Sequence, residues 1–322
     1  MFITSAQAQV LFYGFSADFQ RGFQNVPIVW DQFATLTPSN TKNALYHWVD
    51  QLPSLRKWIG SRQKTNAALR DYLLKNDDYE HTVSVSKFDI ADDIHAAYAG
   101  LFVAQGQAAA RWPDEVMAAV VAAGTTALCY DGEPFFYASH PISLDHPTGT
   151  TFSNLLTGAA YNLATDPLGV WQAASEKMAG YVGAGVAPLG IIADTLMVPP
   201  NLKRWAVQAA HAEIVPQTFS SVSGATTTTN ASAAGVSNVY VGDFKVIVNP
   251  YMSQTSPFGV VMCTNRGLNP FIWQLREAPL FTPQTDPSLS APFYDKEFVY
   301  GIEARGAGGY SLPQLAVRVA AA

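Results

Sequence analysis

Charge is what this chain has least of. Asp, Glu, Lys and Arg together make up 14% of its 322 residues, against roughly 25% in soluble globular domains. Cysteine is nearly absent as well: Cys129 and Cys263 lie far apart, form neither a disulfide framework nor a zinc pattern, and read as small core residues. Their scarcity suits synthesis in a reducing cytoplasm. A basic excess is missing, since 19 Lys and Arg face 25 Asp and Glu for a net charge of −6. That balance excludes the electrostatic footprint of a dedicated nucleic-acid binder.

Long apolar runs are missing too. A membrane helix needs roughly 20 apolar residues, but Val116–Ala123 is too short and Gly185–Val198 is broken by Pro188 and Asp194. Met1-Phe2-Ile3-Thr4 has no basic region ahead of an apolar run, so no secretion signal is expected. Yet 48% of the chain is hydrophobic. A charge-poor surface with no bilayer to explain it implies burial against other subunits.

Catalytic signatures are also lacking. The sequence contains no Gly-x-Ser-x-Gly elbow, no His-Glu-x-x-His helix, no Walker loop and no kinase set. No catalytic residue, cofactor or metal is therefore expected. Asp131, His140, Asp145 and His146 keep a metal-dependent hydrolase in view as a remote alternative. Against it, each histidine precedes a proline in a turn-rich loop, and no further strong ligand stands at matched spacing. Gly301, Gly306, Gly308 and Gly309 beside Arg305 open no helix and fit neither nucleotide fingerprint, so they read as turns and bulges.

What is present is a long rod. Ile94, Tyr98, Leu101, Gln105 and Ala108 fall at helical spacing, with Asp89, Asp92 and Asp93 at the start of the helix. Pro113 is expected to re-start the helix, with Asp114 and Glu115 in a fresh first turn and Gly124 as the stop. Ahead of the rod, Phe15, Phe19 and Phe23 form a four-spaced stripe. They are expected to be buried by a neighbouring subunit or by the underside of their own.

Charge is concentrated in two blocks. Arg56, Lys57, Arg62, Lys64, Arg70 and Lys75 are six of the 19 basic residues, opposed in their stretch only by Asp71. Asp77, Asp78, Glu80, Asp89, Asp92 and Asp93 then reverse the sign. His81–Ser86 alternates as a strand with one wet face. Residues 58–88 read as a long extended excursion, and the two blocks suit docking of one subunit's basic limb on another's acids.

Downstream, Asp166-Pro167 opens a helix with Val170, Trp171, Ala174, Met178 and Tyr181 inward, closed by Gly183. Ile191, Ile192 and Leu196–Val198 read as a buried strand, and Pro199-Pro200 opens another helix. Ser220–Ser237 is rich in Thr and Ser and reads as a mobile loop or insertion. Short apolar runs at Phe244–Val248, Phe258–Cys263, Phe271–Leu275, Phe298–Ile302 and Leu315–Val319 are expected strands. The fold class is α+β.

Several blocks carry a resemblance. Tyr46-His47-Trp48 with Leu52-Pro53-Ser54-Leu55-Arg56-Lys57-Trp58-Ile59-Gly60-Ser61-Arg62 resembles the early signature of the major head subunit of Mu-like phages. So do Asn76–Val85 running into Asp89–Asp93, Tyr130–His140 followed by Asn154, Asp194–Pro200, and Tyr300–Arg305. That family is similar to Hong Kong 97-type capsid proteins.

The resemblance implies an N-terminal arm (1–45), an extended hairpin loop (46–88) and a peripheral domain with a spine helix (89–150). It further implies an axial domain (151–269) and a return to the peripheral domain (270–322). It implies a major capsid protein assembling into pentamers and hexamers around phage double-stranded DNA, held non-specifically, in the virion. A same-fold nanocompartment shell around cargo protein is the alternative. Implied partners are further copies of the chain, a separate scaffold and protease, a portal protein and, in decorated heads, a decoration protein. The subunit-interface candidates are Phe15, Phe19, Phe23, Arg56, Arg62, Lys64, Arg70, Asp77, Asp78, Glu80, Asp92 and Asp93.

Overall fold

The computed structural model describes residues 5–49, 69–91, 95–142, 150–183, 188–223, 226–284 and 296–321. They divide into two compact units. Unit 1 comprises Met1–Tyr46, Leu73–Met117 and Ile272–Gly309; unit 2 comprises His47–Tyr72, Ala118–Phe271 and Tyr310–Ala322. In chain order, the elements up to the long helix are α1 (Ser5–Gln24), β1 (Ala34–Pro38), β2 (Asn43–Val49), β3 (Leu69–Lys75), β4 (Asp77–Ser86), α2 (Lys87–Ala91) and α3 (His95–Ala123). There follow β5 (His140–Pro141), β6 (Thr151–Phe152), β7 (Leu155–Thr157), α4 (Pro167–Ala179), β8 (Thr195–Val198) and α5 (Lys203–His211). The chain closes with β9 (Ile214–Ser223), β10 (Thr226–Ser237), β11 (Lys245–Val248), β12 (Phe258–Met262), β13 (Phe271–Gln284), β14 (Glu297–Tyr310) and β15 (Ala316–Ala320). Among the described residues no helix is long and apolar enough to cross a membrane.

Unit 1 packs two helices against a four-stranded sheet of order β1-β13-β14-β4. Helices α1 and α3 meet backbone to backbone at two glycines. A Cβ on Gly106 would sit 2.1 Å from the Phe19 carbonyl oxygen, and one on Gly22 2.1 Å from that of Val103. Only a hydrogen fits there. This close approach brings Phe15 onto Phe102, with ring centroids 4.2 Å apart, and Phe19 onto Phe281 at 5.1 Å. Tyr300, Phe298, Val83 and Val85 complete the core from the sheet. Each such side chain contributes about 1.5–3 kcal/mol by leaving water. Beside the core, a buried amide network spans the β3–β4 turn. Gln274 donates to Asn76 Oδ1 at 2.7 Å, Asn76 donates to the Thr41 carbonyl at 2.9 Å, and the Tyr46 hydroxyl donates to Gln274 at 2.8 Å.

Unit 2 is built on a five-stranded mixed sheet of order β11-β8-β12-β15-β7. Helix α4 begins at Asp166, whose carboxylate accepts from the Gly169 amide at 2.9 Å, with Pro167 already set for the first turn. Its inward face is Val170, Trp171, Ala174 and Met178, and Trp171 stacks on Phe244 at 3.8 Å. Ala206, Ala209 and Ala210 of α5 complete the same core. Asn154 is buried and fully satisfied, donating to the Phe135 and Pro313 carbonyls and accepting from the Tyr137 amide.

Several expectations change. Helix α3 runs unbroken through Pro113, and Asp114, instead of capping a new helix, turns inward to accept from the amides of Val29 (3.0 Å) and Trp30 (2.7 Å). The buried stripe of α3 agrees with the expected one at Gln105, which is inside, and at half-buried Tyr98, but Phe102 and Ala109 take the inner places expected of Leu101 and Ala108, which are exposed. Ile94 lies outside the described residues. Helix α4 ends at Gly180 rather than Gly183, and Ile192 is exposed, outside β8.

The glycines 301, 306, 308 and 309 are not turns but part of the continuous strand β14. A Cβ on Gly306 would meet the Gln274 carbonyl at 2.8 Å and the Trp112 ring at 3.1 Å, so the glycine admits a close neighbour. The Thr-rich segment is not a loop: it is the paired hairpin β9–β10. Threonine is β-branched and favours a pleated strand, a preference that outweighed the low complexity. Strand β4 is an integral member of the unit 1 sheet, so residues 77–86 are not part of an excursion.

Candidate functional site

The interface candidates fall into three groups. Phe15 and Phe19 are buried inside unit 1, and Phe23 is half-buried with its ring against Phe19. Phe15 and Phe19 are thus covered by their own chain, while half of Phe23 stays open. Arg56, Arg62, Lys64, Asp92 and Asp93 lie outside the described residues, and of Arg70 only the backbone, on β3, is described. Asp77, Asp78 and Glu80 stand exposed on β4.

Strand register gathers more acids around that last group. β4 pairs antiparallel with β14, placing Glu303 opposite Glu80 and Arg305 opposite Asp78. Alternation along the strands puts Val83 and Val85 inward and Asp78, Glu80 and Thr82 outward. Arg305 then bridges Asp78 and, at 3.2 Å, Glu277 of β13. The hydrogen bond to Asp78 is the leading cause of a raised Arg305 pKa, so this guanidinium is firmly charged. Two carboxylates, Asp78 and Glu277, thus hold one arginine on the outer face of the sheet, and Glu303 and Glu80 form the next cross-strand pair on that face. Glu80 and Glu303 are like charges directly opposed, an arrangement that disfavours the bare sheet and is relieved by a cation between them. The sequence showed Asp78 and Glu80 but not their partners: Arg305 and Asp78 are 227 positions apart. The Glu303-Ala304-Arg305 alternation was the available signal.

On the other side of β4, a groove of about 170 Å³ runs between that strand and α3, walled by Tyr79, Trp112, Ile302 and Pro279. Gln105 reaches into it from α3 and is buried. Its Nε2 donates to the His81 carbonyl at 3.2 Å, which fixes the amide's orientation and leaves Oε1 without a hydrogen bond among the described residues.

The hydrolase candidates separate. Asp145 and His146 lie outside the described residues, while Asp131 and His140 meet inside unit 2 together with Cys129. His140 Nδ1 is 2.6 Å from Asp131 Oδ2, its Nε2 is 3.2 Å from the Phe135 carbonyl oxygen, and its ring stacks on Phe152. The Cys129 thiol donates to Asp131 Oδ1 at 2.9 Å. Burial, then the negative Asp131, push the Cys129 thiol far up, so it stays protonated. Burial also acts to raise the Asp131 carboxyl, but the hydrogen bonds from His140 and Cys129 outweigh it and hold the group ionised. Every donor atom of the trio is engaged inside the protein, as in a structural cross-link and not an open ligand set.

The sequence matches the model of the Mu-like prophage major head subunit gpT over residues 8–167 and 251–322. The chain belongs to that family. It is 33% identical to the major capsid protein of Escherichia phage Mu over 142 residues, 44% of this chain and 47% of the relative. It is 31% identical to the Mu-like prophage FluMu major head subunit of Haemophilus influenzae over 171 residues, 53% of this chain and 54% of the relative. The chain thus spans about half the length of the curated relatives it matches. Among solved structures, the procapsid of bacteriophage JBD30 is similar over 99% of this chain and 77% of that one, at 26% identity and a TM-score of 0.56. The α+β fold is therefore of the Hong Kong 97 capsid type, and the family is one of structural head proteins rather than enzymes.

Proposed function

We propose that the chain is a shell-forming head subunit. It associates with its own copies into pentamers and hexamers, closes an icosahedral head in the host cytoplasm and, in the virion, encloses double-stranded DNA. The membership of the chain in the head-subunit family carries this reading. Unit 1, with α3 as its spine, takes the peripheral role, and unit 2, around its five-stranded sheet, the axial one. Residues 50–68, which the extended-loop expectation covers, lie outside the described residues. Scaffold, protease, portal and decoration functions come from other chains. DNA is contained without a tight grip, in keeping with the net charge of −6.

The acidic face gives the reading a mechanism. Asp78 and Glu277 are engaged by Arg305, and Glu303 together with Glu80, which accepts only from the neutral Thr82 hydroxyl, carries the charge that meets the basic limb, Arg56 to Lys75, of another copy. An exposed pair contributes only about 0–1 kcal/mol, so these contacts select register and speed encounter while apolar burial holds the shell.

The test is the assembly rate of purified subunits, followed by light scattering from 0.05 to 0.3 M salt, a range over which the Debye length shortens to well under about 10 Å. Wild-type assembly should slow as salt rises. A Glu80→Gln/Glu303→Gln variant with unchanged circular dichroism should assemble slowly at every salt concentration. A neutral variant that keeps both the wild-type rate and the wild-type salt dependence would remove the acidic face from the mechanism.

A further inference from the structure

Among the described residues, the ribbon β9–β10 is the longest sheet made of only two strands. It runs from the pair Ile214↔Ser237 at its base to Ser223↔Thr226 near its tip, and its register shifts once, between Ala231 and Gly235. The distal half, from Thr218↔Ala231 outward, is regular. Among the described residues neither strand pairs with a third, so both outer edges present unpaired amides and carbonyls. A lone two-stranded ribbon is marginal in water.

The edges of the two larger sheets are guarded. β1 ends at Pro38, β4 carries Asp77, Asp78 and Glu80, and β7 and β11 are only three and four residues long. Short strands, proline and charge are the devices that keep edges from pairing with other chains. The ribbon has almost none of them. From Ile214 to Gly242 the sequence holds no Asp, Glu, Lys, Arg or His, and the single proline, Pro216, sits near the base. The distal half is Ser, Thr, Ala, Phe, Val and Asn, a composition that favours strands and is indifferent to the charge of a partner. The ribbon also lies within residues 168–250, which the family model does not match.

We infer that the ribbon is completed by the ribbon of a second copy, the outer edge of β9 in one subunit pairing antiparallel with the outer edge of β10 in the next. This rests on the head-subunit reading above and deepens it. The two edges differ, so the contact is head-to-tail and propagates around a ring. A ring that closes leaves no strand edge unpaired, because up-and-down ribbons side by side form a continuous barrel. The absence of charge fits this occupant: in a ring of copies every β9 edge meets a β10 edge, and neither carries a like charge that would repel the next subunit. The ten residues of β9, at about 3.4 Å each, give the distal half the reach to stand clear of the sheet in unit 2.

The experiment is hydrogen–deuterium exchange on the full chain, before and after assembly, read on peptides covering 217–223 and 226–231. In dissociated subunits the outward amides should exchange freely. In capsomers or shells they should slow at least tenfold. A Ser221→Lys/Thr228→Lys variant should fold but form capsomers at least tenfold more slowly, whereas Ser221→Val/Thr228→Val should assemble like wild type. Shells whose ribbon amides exchange as fast as in free subunits, or lysine variants that assemble normally, overturn the proposal while leaving the head-subunit reading intact. Protection that appears only when a different protein is added overturns the choice of occupant. Wild-type subunits that stay monomeric by sedimentation, with no slowed ribbon amides, overturn both.

Discussion

Asp114 offers the sharpest single-residue test of how unit 1 is held together. It sits on α3 at 2% exposure and accepts from the Val29 and Trp30 amides, tying the segment after α1 to the long helix. Asp114→Ala leaves two backbone donors without an acceptor. At about 1–3 kcal/mol for each buried unsatisfied group, the loss is about 2–6 kcal/mol if the site stays dry. That is a large share of the roughly 5–15 kcal/mol by which domains are stable. Asp114→Asn keeps one acceptor oxygen and should lose much less.

The two variants also differ in pH dependence. Burial is the main cause that raises the Asp114 carboxyl above its ordinary value of 3.8, only partly offset by the two amide bonds, with Asp31 and Glu115 adding to the rise. Because the folded pKa lies above the unfolded one, this group's contribution is fully present below about pH 3.8. It is lost as pH climbs through the folded value. Wild type should therefore lose stability relative to Asp114→Asn as pH rises from the acid range towards neutrality. Native-state hydrogen exchange at Val29 and Trp30 between pH 4 and 7 reads both effects. Equal protection of these amides in the alanine and asparagine variants would refute the account of the tie.

Two further outcomes follow from the packing. Gly106→Val should lift α1 from α3, because the Cβ position is 2.1 Å from the Phe19 carbonyl oxygen; limited proteolysis should then cut within residues 5–24 of the variant faster than in the wild type. Cys129 and Cys263 are both buried with raised pKa values, so neither should react with a thiol reagent at pH 8 until the chain is unfolded; fast labelling of the native protein would contradict the burial.

The parts of this fold that were legible in the sequence are those set by local chemistry. Asp166-Pro167 marked a helix start because capping needs only neighbours, and Val83 and Val85 marked an inward strand face because alternation is local. The phase of α3 was partly misjudged because the helix is rich in alanine, so two adjacent stripes look alike, and packing of Phe102 against Phe15 decides between them. Pro113 and the β14 glycines misled for a related reason: a local breaker is overruled when distant groups hold the backbone, as Trp112 does over Gly306. The acidic face was half visible. Asp77, Asp78 and Glu80 stood together in the sequence, but Glu277, Glu303 and Arg305 join them only through pairing of β4, β14 and β13.

The measurement that bears most directly on the shell mechanism is an electron cryomicroscopy reconstruction of particles assembled from this chain, at a resolution that shows side chains. The account predicts closed shells in which basic side chains from the 56–75 limb of one copy lie within ion-pair distance of Glu80 and Glu303 on another. Shells in which that face meets only solvent, or only its own subunit, would contradict it.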